Sequence, residues 1–225
     1  VIICQTEIWL PDRGPGESVE DWGGRRVDAI AELVGGWTGC LPAGKLPTAC
    51  AGRKDRQRES VVESTYGSPL LSLVPTVQER TGISLGPLLD DDVCAGWGHL
   101  ASPRGGLKQN SPDTVLLTAG TGLAECLWVK ERFLVKGTYP RLAELDLEAP
   151  LRAEAWRGQE LPLAPLENLL LARGDLGRFQ RVVLSGRFAS AQGWPPVLAD
   201  GVALVVCALE EAPALGALTL ARQVE

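Results

Sequence analysis

Gly120-Thr121-Gly122 closes an apolar run that begins at Leu116 and precedes a second one, Cys126 to Val129. The pattern predicts a buried strand, a small-residue turn and a returning strand. Without a Cβ, Gly120 and Gly122 let backbone N–H groups approach a ligand closely, and Thr121 adds a hydroxyl. Such a turn suits an anion, phosphate first among them; a plain hairpin corner fits the same residues. A second group is Asp90-Asp91-Asp92, which ends an apolar segment and opens a helix. A carboxylate at a helix start is oriented and partly charge-stabilised, and can take a proton from a substrate hydroxyl. Helix capping is the simpler use for such acids. Three in a row exceed what a cap requires, and as hard oxygen ligands they suit magnesium. A third group is Val182-Val183-Leu184-Ser185-Gly186-Arg187, a strand entering a small-residue turn. Its partner is the helical Ala214-Leu215-Gly216-Ala217-Leu218, where glycine costs roughly 1 kcal/mol relative to alanine and so implies close packing or a ligand.

The elements that must position these groups follow from periodicity and breakers. Val1 to Leu10 reads as a strand, ended by the Pro11 to Gly16 cluster. Ser18 with Asp21 forms a capping-box pattern, and Val19, Trp22, Ile30, Leu33 and Trp37 recur at helical spacing. Leu46 to Ala51 is a second strand, and the charged Gly52 to Glu59 a loop. A helix over 70–80, a strand over 83–89 and a short helix over 93–100 complete the first half. The Gly-, Pro- and Ser-rich stretch 102–112 is the expected boundary, giving halves 1–111 and 112–225. The second half carries strands at 114–118, 125–130, 132–136, 181–184 and 202–207, with helices near 165–173, 188–200 and 212–222. Strands alternating with helices predict an α/β fold with largely parallel sheets and one hairpin.

Composition narrows the classes of function. The 225 residues are 45% hydrophobic and 22% charged with net charge −6, ordinary for a globular chain. No basic stripe marks a nucleic-acid surface, and no apolar run approaches the length of a membrane span. Six cysteines without CxxC spacing and a single histidine argue against zinc and for a reduced, cytoplasmic setting. His99, the one histidine, is expected on a partly exposed helix face. Seven tryptophans fit either a homodimer interface or a core. The chain has no methionine and starts at Val1 inside an apolar run, so residues before Val1 are expected.

Read in order, these groups resemble the sugar kinase, heat-shock protein and actin superfamily, and within it the ROK-type and related small sugar kinases. The resemblance spans nearly the whole chain, with each motif loose. It implies two RNase H-like halves, as in actin-like ATPases, with mixed sheets flanked by helices around a central cleft. Leu46 to Asp55, with Gly52 and Asp55, looks like the strand and loop at the sugar. Asp90 to Ala95 looks like the family's acidic-Asn-Asp-Ala-Asn-Ala segment, with Asp92 on the catalytic base and Asp91 on a sugar-contacting asparagine. Ala119 to Gly122 looks like the second phosphate turn, so Gly120, Thr121 and Gly122 fall on ATP. Ser185, Gly186 and Gly216 fall on the adenosine site.

The departures are specific. The family's first phosphate hairpin, Asp-Gly-Gly-Thr, should precede the strand at Val1 and is absent, which fits equally a missing piece of about twenty residues before Val1 and a protein that has lost the motif. Arg187 stands where the adenosine turn has a second glycine. No histidine follows the Glu-x-Gly pattern, leaving Glu144 as the nearest acidic residue, and the zinc-binding cysteine cluster is missing. The resemblance implies an ATP- and magnesium-dependent phosphotransferase acting on a sugar or sugar-like hydroxyl. The departures motivate an alternative, a non-catalytic relative that binds sugar or nucleotide as a regulator or subunit. An ATP hydrolase of the same superfamily is a third reading.

Overall fold

The computed structural model describes residues 11–39, 45–63, 68–119, 123–134, 179–186, 189 and 194–224. The chain is mixed α/β and divides into two compact units, Val1–Asp90 and Asp91–Glu225.

In the first unit, α1 spans Val19–Gly35. The Ser18 hydroxyl starts it by accepting the Asp21 N–H at 3.0 Å, and donates to the Asp21 carboxylate at 2.8 Å. This is the predicted cap, with Asp in place of the usual Glu. Strand β1 (Leu46–Cys50) pairs in parallel with β4 (Leu85–Asp90), Cys50 standing opposite Asp90. Between them lie α2 (Leu73–Thr81) and a hairpin of β2 (Arg53–Lys54) and β3 (Val61–Glu63). The charged stretch after Gly52, expected as a loop, is therefore partly strand. Local polarity hides this, because a two-residue strand needs only its partner's hydrogen bonds and no apolar alternation of its own. Val27 and Ala31 of α1 join Val61, Leu73, Val77, Leu85 and Leu88 in one buried core.

The second unit begins with α3 (Asp91–Ala101), directly after β4. Its five-stranded sheet has the order β7-β6-β5-β8-β9, with β5 Thr114–Ala119, β6 Leu123–Val129, β7 Arg132–Phe133, β8 Arg181–Ser185 and β9 Ala203–Val206. β5, β8 and β9 run parallel, while β6 is antiparallel to both β5 and β7. The last helix, α4, spans Ala212–Val224. Side chains alternate between faces as the pleat demands. Val115, Leu117, Val182, Leu184 and Leu204 enter one buried cluster. Leu116, Cys126, Trp128 and Val183 enter another with Ala95 of α3 and Ala212 of α4.

Two expectations change here. The division between units falls at Asp90–Asp91, not in 102–112, because α3 packs with α4, β5 and β6 of the second unit. The helix expected near 188–200 does not form over 194–198; Val197 bridges Ala203 instead, and only a 3₁₀ turn, Ala199–Gly201, follows. Pro195 and Pro196 supply no backbone N–H for a helix. The expected elements at 1–10 and 165–173 lie outside the described residues. Among the described residues no helix is long and apolar enough to cross a membrane. Trp22, Trp37, Trp97 and Trp194 are half-buried and Trp128 buried, so the described tryptophans serve packing rather than an exposed face.

Candidate functional site

The parallel strands of the second unit place three chain segments at one edge of the sheet. Thr118 stands opposite Ser185, and Leu184 opposite Val206, so β5, β8 and β9 all end there. The carboxyl edge of parallel strands is where open α/β sheets hold ligands. Gly120, Thr121 and Gly122 follow β5 in sequence but lie outside the described residues, as do Glu144 and Arg187. Gly186 follows β8 with φ +89°, a conformation that L side chains rarely adopt, and its carbonyl accepts the Ala189 N–H at 3.0 Å.

Ser185 and His99 depart from their expected places. Ser185, assigned to adenosine by resemblance, is 1% exposed, and its hydroxyl faces His99 Nε2 at 2.7 Å. His99, expected on a partly exposed face, is fully buried. The loop after α3 folds back over it, and the Gly106 N–H donates to His99 Nδ1 at 3.1 Å. Since Nδ1 accepts, the proton resides on Nε2, which donates to Ser185 Oγ. The pair is thus wired against nucleophilic catalysis: the ring nitrogen that faces the serine carries the proton and has no lone pair with which to deprotonate it.

Burial holds the His99 pKa down at about 4, against a weaker opposing pull from the Glu211 carboxylate, which is itself paired with Arg104. The unfolded chain therefore takes up a proton near pH 6.5 that the folded chain refuses until near pH 4. This group's contribution is full above pH 6.5 and is lost as pH falls through that window. Urea titrations should find the protein about 2 kcal/mol less stable at pH 5 than at pH 7 from this source. His99→Gln should flatten that part of the profile; an unchanged slope in the variant would assign the loss to other groups.

Gly216 also has a structural explanation. α3 and α4 cross so closely that a Cβ on Gly216 would land on the Cys94 carbonyl oxygen, and one on Gly98 on the Ala212 carbonyl oxygen. The glycine assigned to adenosine is filled against by a neighbouring backbone, and no ligand is needed to account for it.

The acidic run separates by function. Asp90, at the end of β4, accepts from Lys54 Nζ at 2.8 Å, with Arg58 at 3.8 Å. Lys54, only 5% exposed along its side chain, also donates to the Cys50 carbonyl at 2.5 Å. It ties the β2–β3 hairpin to the ends of β1 and β4. Nothing in the sequence distinguishes Lys54 from its charged neighbours. Lys54→Met should cost about 2 kcal/mol of unfolding free energy, because it leaves a part-buried carboxylate short of its closest cation. An unchanged urea midpoint would show that the pair contributes nothing net.

Asp91 is half-buried. Asp92 is 4% exposed in the first turn of α3, and its Oδ1 accepts the Val93 N–H at 2.7 Å. Asp55, assigned to the sugar, closes its own hairpin: Oδ1 accepts the Glu59 N–H at 2.9 Å. That backbone hydrogen bond is the main reason its pKa lies below the ordinary carboxylate value. Gly52 precedes the hairpin with φ +93°. Among the described residues no three His, Cys, Asp or Glu side chains are placed to hold one metal ion, so the three adjacent aspartates do not converge on magnesium by themselves.

No protein-family model matches this sequence, and no curated protein matches it. Solved structures do. The inorganic polyphosphate/ATP-glucomannokinase of Arthrobacter sp. strain KM aligns over 89% of this chain and 84% of its own, at TM-score 0.66 and 16% identity. A ROK-family glucokinase from Streptomyces griseus, in complex with glucose and AMPPNP, aligns over 89% and 88%, at TM-score 0.53 and 17% identity. A ROK-family transcriptional regulator, a homologue of the E. coli MLC protein, aligns over 89% and 68%, at TM-score 0.54 and 14% identity. The chain has the mixed α/β fold of ROK-family proteins, as the sequence motifs led us to expect.

Proposed function

We propose that this chain is a sugar kinase-like phosphotransferase that moves a phosphoryl group from ATP to a sugar hydroxyl. The observation that carries the reading is the carboxyl edge of the second unit. There β5, which the Gly-Thr-Gly segment follows in sequence, ends with Thr118 opposite Ser185, the last residue of β8, in a fold shared with two sugar kinases, one holding glucose and AMPPNP. The strand order, three antiparallel strands followed by two parallel to the first, supports reading this unit as one of two RNase H-like halves. Phosphoryl transfer asks little covalent chemistry of the protein; positioning and charge neutralisation do most of it.

In this reading Asp92 takes the hydroxyl proton. It stands in the first turn of α3, the position that the resemblance gives the base. Gly120, Thr121 and Gly122 hold the phosphates, with magnesium supplying further positive charge. Gly186 leaves room for the nucleoside, and Asp91, Gly52 and Glu144 are the residues that the resemblance assigns to the sugar. Asp55, Ser185 and Gly216 serve the framework in the ways described above.

The regulator among the structural neighbours supports a second reading, a chain that binds sugar or nucleotide without turnover. Asp92 at 4% exposure fits it, since a base must reach the hydroxyl it deprotonates. Calorimetric titration of Mg-ATP, followed by ADP release over a panel of hexoses, separates the two. Micromolar to low millimolar binding with sugar-dependent ADP release is expected. Binding without turnover on any sugar would favour the regulator, and no binding by the folded protein would overturn the nucleotide site.

A further inference from the structure

We propose that His99 is a positioning residue, a buried brace that sets the Ser185–Gly186 turn from the end of α3. Its role in nucleotide binding rests on the reading above; the brace itself does not.

The brace has three contacts, each with one function. The Gly106 N–H occupies Nδ1 at 3.1 Å and so directs the ring proton to Nε2. Nε2 then holds the Ser185 hydroxyl at 2.7 Å, at the last residue of β8. The ring is seated by the loop that follows α3. Ser102 N–H bonds the Gly98 carbonyl at 3.0 Å, Gly105 N–H bonds the Ser102 carbonyl at 2.9 Å, and Gly105 lies against the His99 carbonyl with no room for a Cβ. α3 itself is held in register by the Gly98–Ala212 and Cys94–Gly216 backbone contacts with α4.

The imidazole thus transmits the position of one rigid helix to one turn. Among the described residues at this edge that turn is conformationally special, since Gly186 has φ +89°. A leucine would fill the volume and leave the Gly106 N–H and Ser185 hydroxyl without their partner. A buried polar group left in that state is costly enough to move the backbone that carries it. A glutamine carries its amide N–H₂ at the reach of Nε2, so it can still hold the Ser185 hydroxyl.

The test compares His99→Leu, His99→Gln, Ser185→Ala and the His99→Leu/Ser185→Ala double variant with the wild-type chain, by Mg-ATP calorimetry and by the amide resonances of Gly106 and Gly186. We expect His99→Leu and Ser185→Ala each to weaken Mg-ATP about tenfold, a scale set by small misplacements of binding groups. His99→Gln should stay within about threefold of wild type, and the double variant should be no weaker than the single variants, because both remove one linkage. Additive losses, or a loss in His99→Gln as large as in His99→Leu, would overturn the brace.

If wild type fails to bind Mg-ATP, the nucleotide reading falls and the amide resonances decide the brace. Gly186 should shift in both His99→Leu and Ser185→Ala and return in His99→Gln. A Gly186 resonance unmoved in a folded variant would overturn it. Should His99→Leu not fold, Ser185→Ala, which deletes a single oxygen, carries the same test.

Discussion

Gly216→Ala is expected to destabilise the second unit by about 3 kcal/mol, the upper range for overpacking a tight site. Local reasoning gives the opposite sign: alanine is the better helix former by about 1 kcal/mol. The tertiary contact wins because the added methyl meets the Cys94 carbonyl oxygen and the Gly98 nitrogen, both backbone atoms. A side chain could rotate away; a helix backbone must translate, and the reciprocal Gly98–Ala212 contact on the same crossing would have to open with it. Gly24→Ala on α1 is the control, since a Cβ there meets nothing within 4 Å. It should raise stability by up to about 1 kcal/mol. Urea denaturation measures both, with the m-value unchanged if the unfolded state is unaffected. A Gly216→Ala chain as stable as wild type would mean that α3 and α4 cross at a greater distance.

Asp92→Asn is expected to lower sugar-dependent ADP release by about 10²- to 10⁴-fold, the usual contribution of a general base, while leaving Mg-ATP affinity within about twofold. Asparagine keeps the size of the side chain and an oxygen that can still accept the Val93 N–H, so the first turn of α3 should survive. What is removed is the charge and the ability to take a proton. The variant should keep about wild-type stability if the charge serves catalysis rather than the framework. Steady-state turnover together with a thermal melt reads both consequences. Undiminished turnover would remove Asp92 from the mechanism. A large loss of stability with little loss of turnover would make it a framework residue, as Asp90 already is through Lys54.

Sequence and tertiary structure decided different things about this chain. The cap at Ser18, the strands that became β5 and β8, the hairpin of β5 and β6 and the last helix were legible, because each rests on local patterning that holds in any context: a hydroxyl three residues before an amide, apolar runs of strand length, glycines at turns. The order of the motifs was enough to identify the ROK-type fold, despite 16–17% identity to the two kinase structures.

The uses of individual polar residues were not legible. Lys54 and Arg53 are neighbours in one charged stretch, yet only the docking of the hairpin makes Lys54 the buried partner of Asp90, 36 residues away. His99 and Ser185 are 86 residues apart, and nothing local says that a sheet edge and a helix end will meet there. Gly216 carried a visible signal, a glycine within a helix, but its partner could not be read from it. A sequence records what each residue can donate, accept or leave empty; which atoms fill those valences depends on long-range packing.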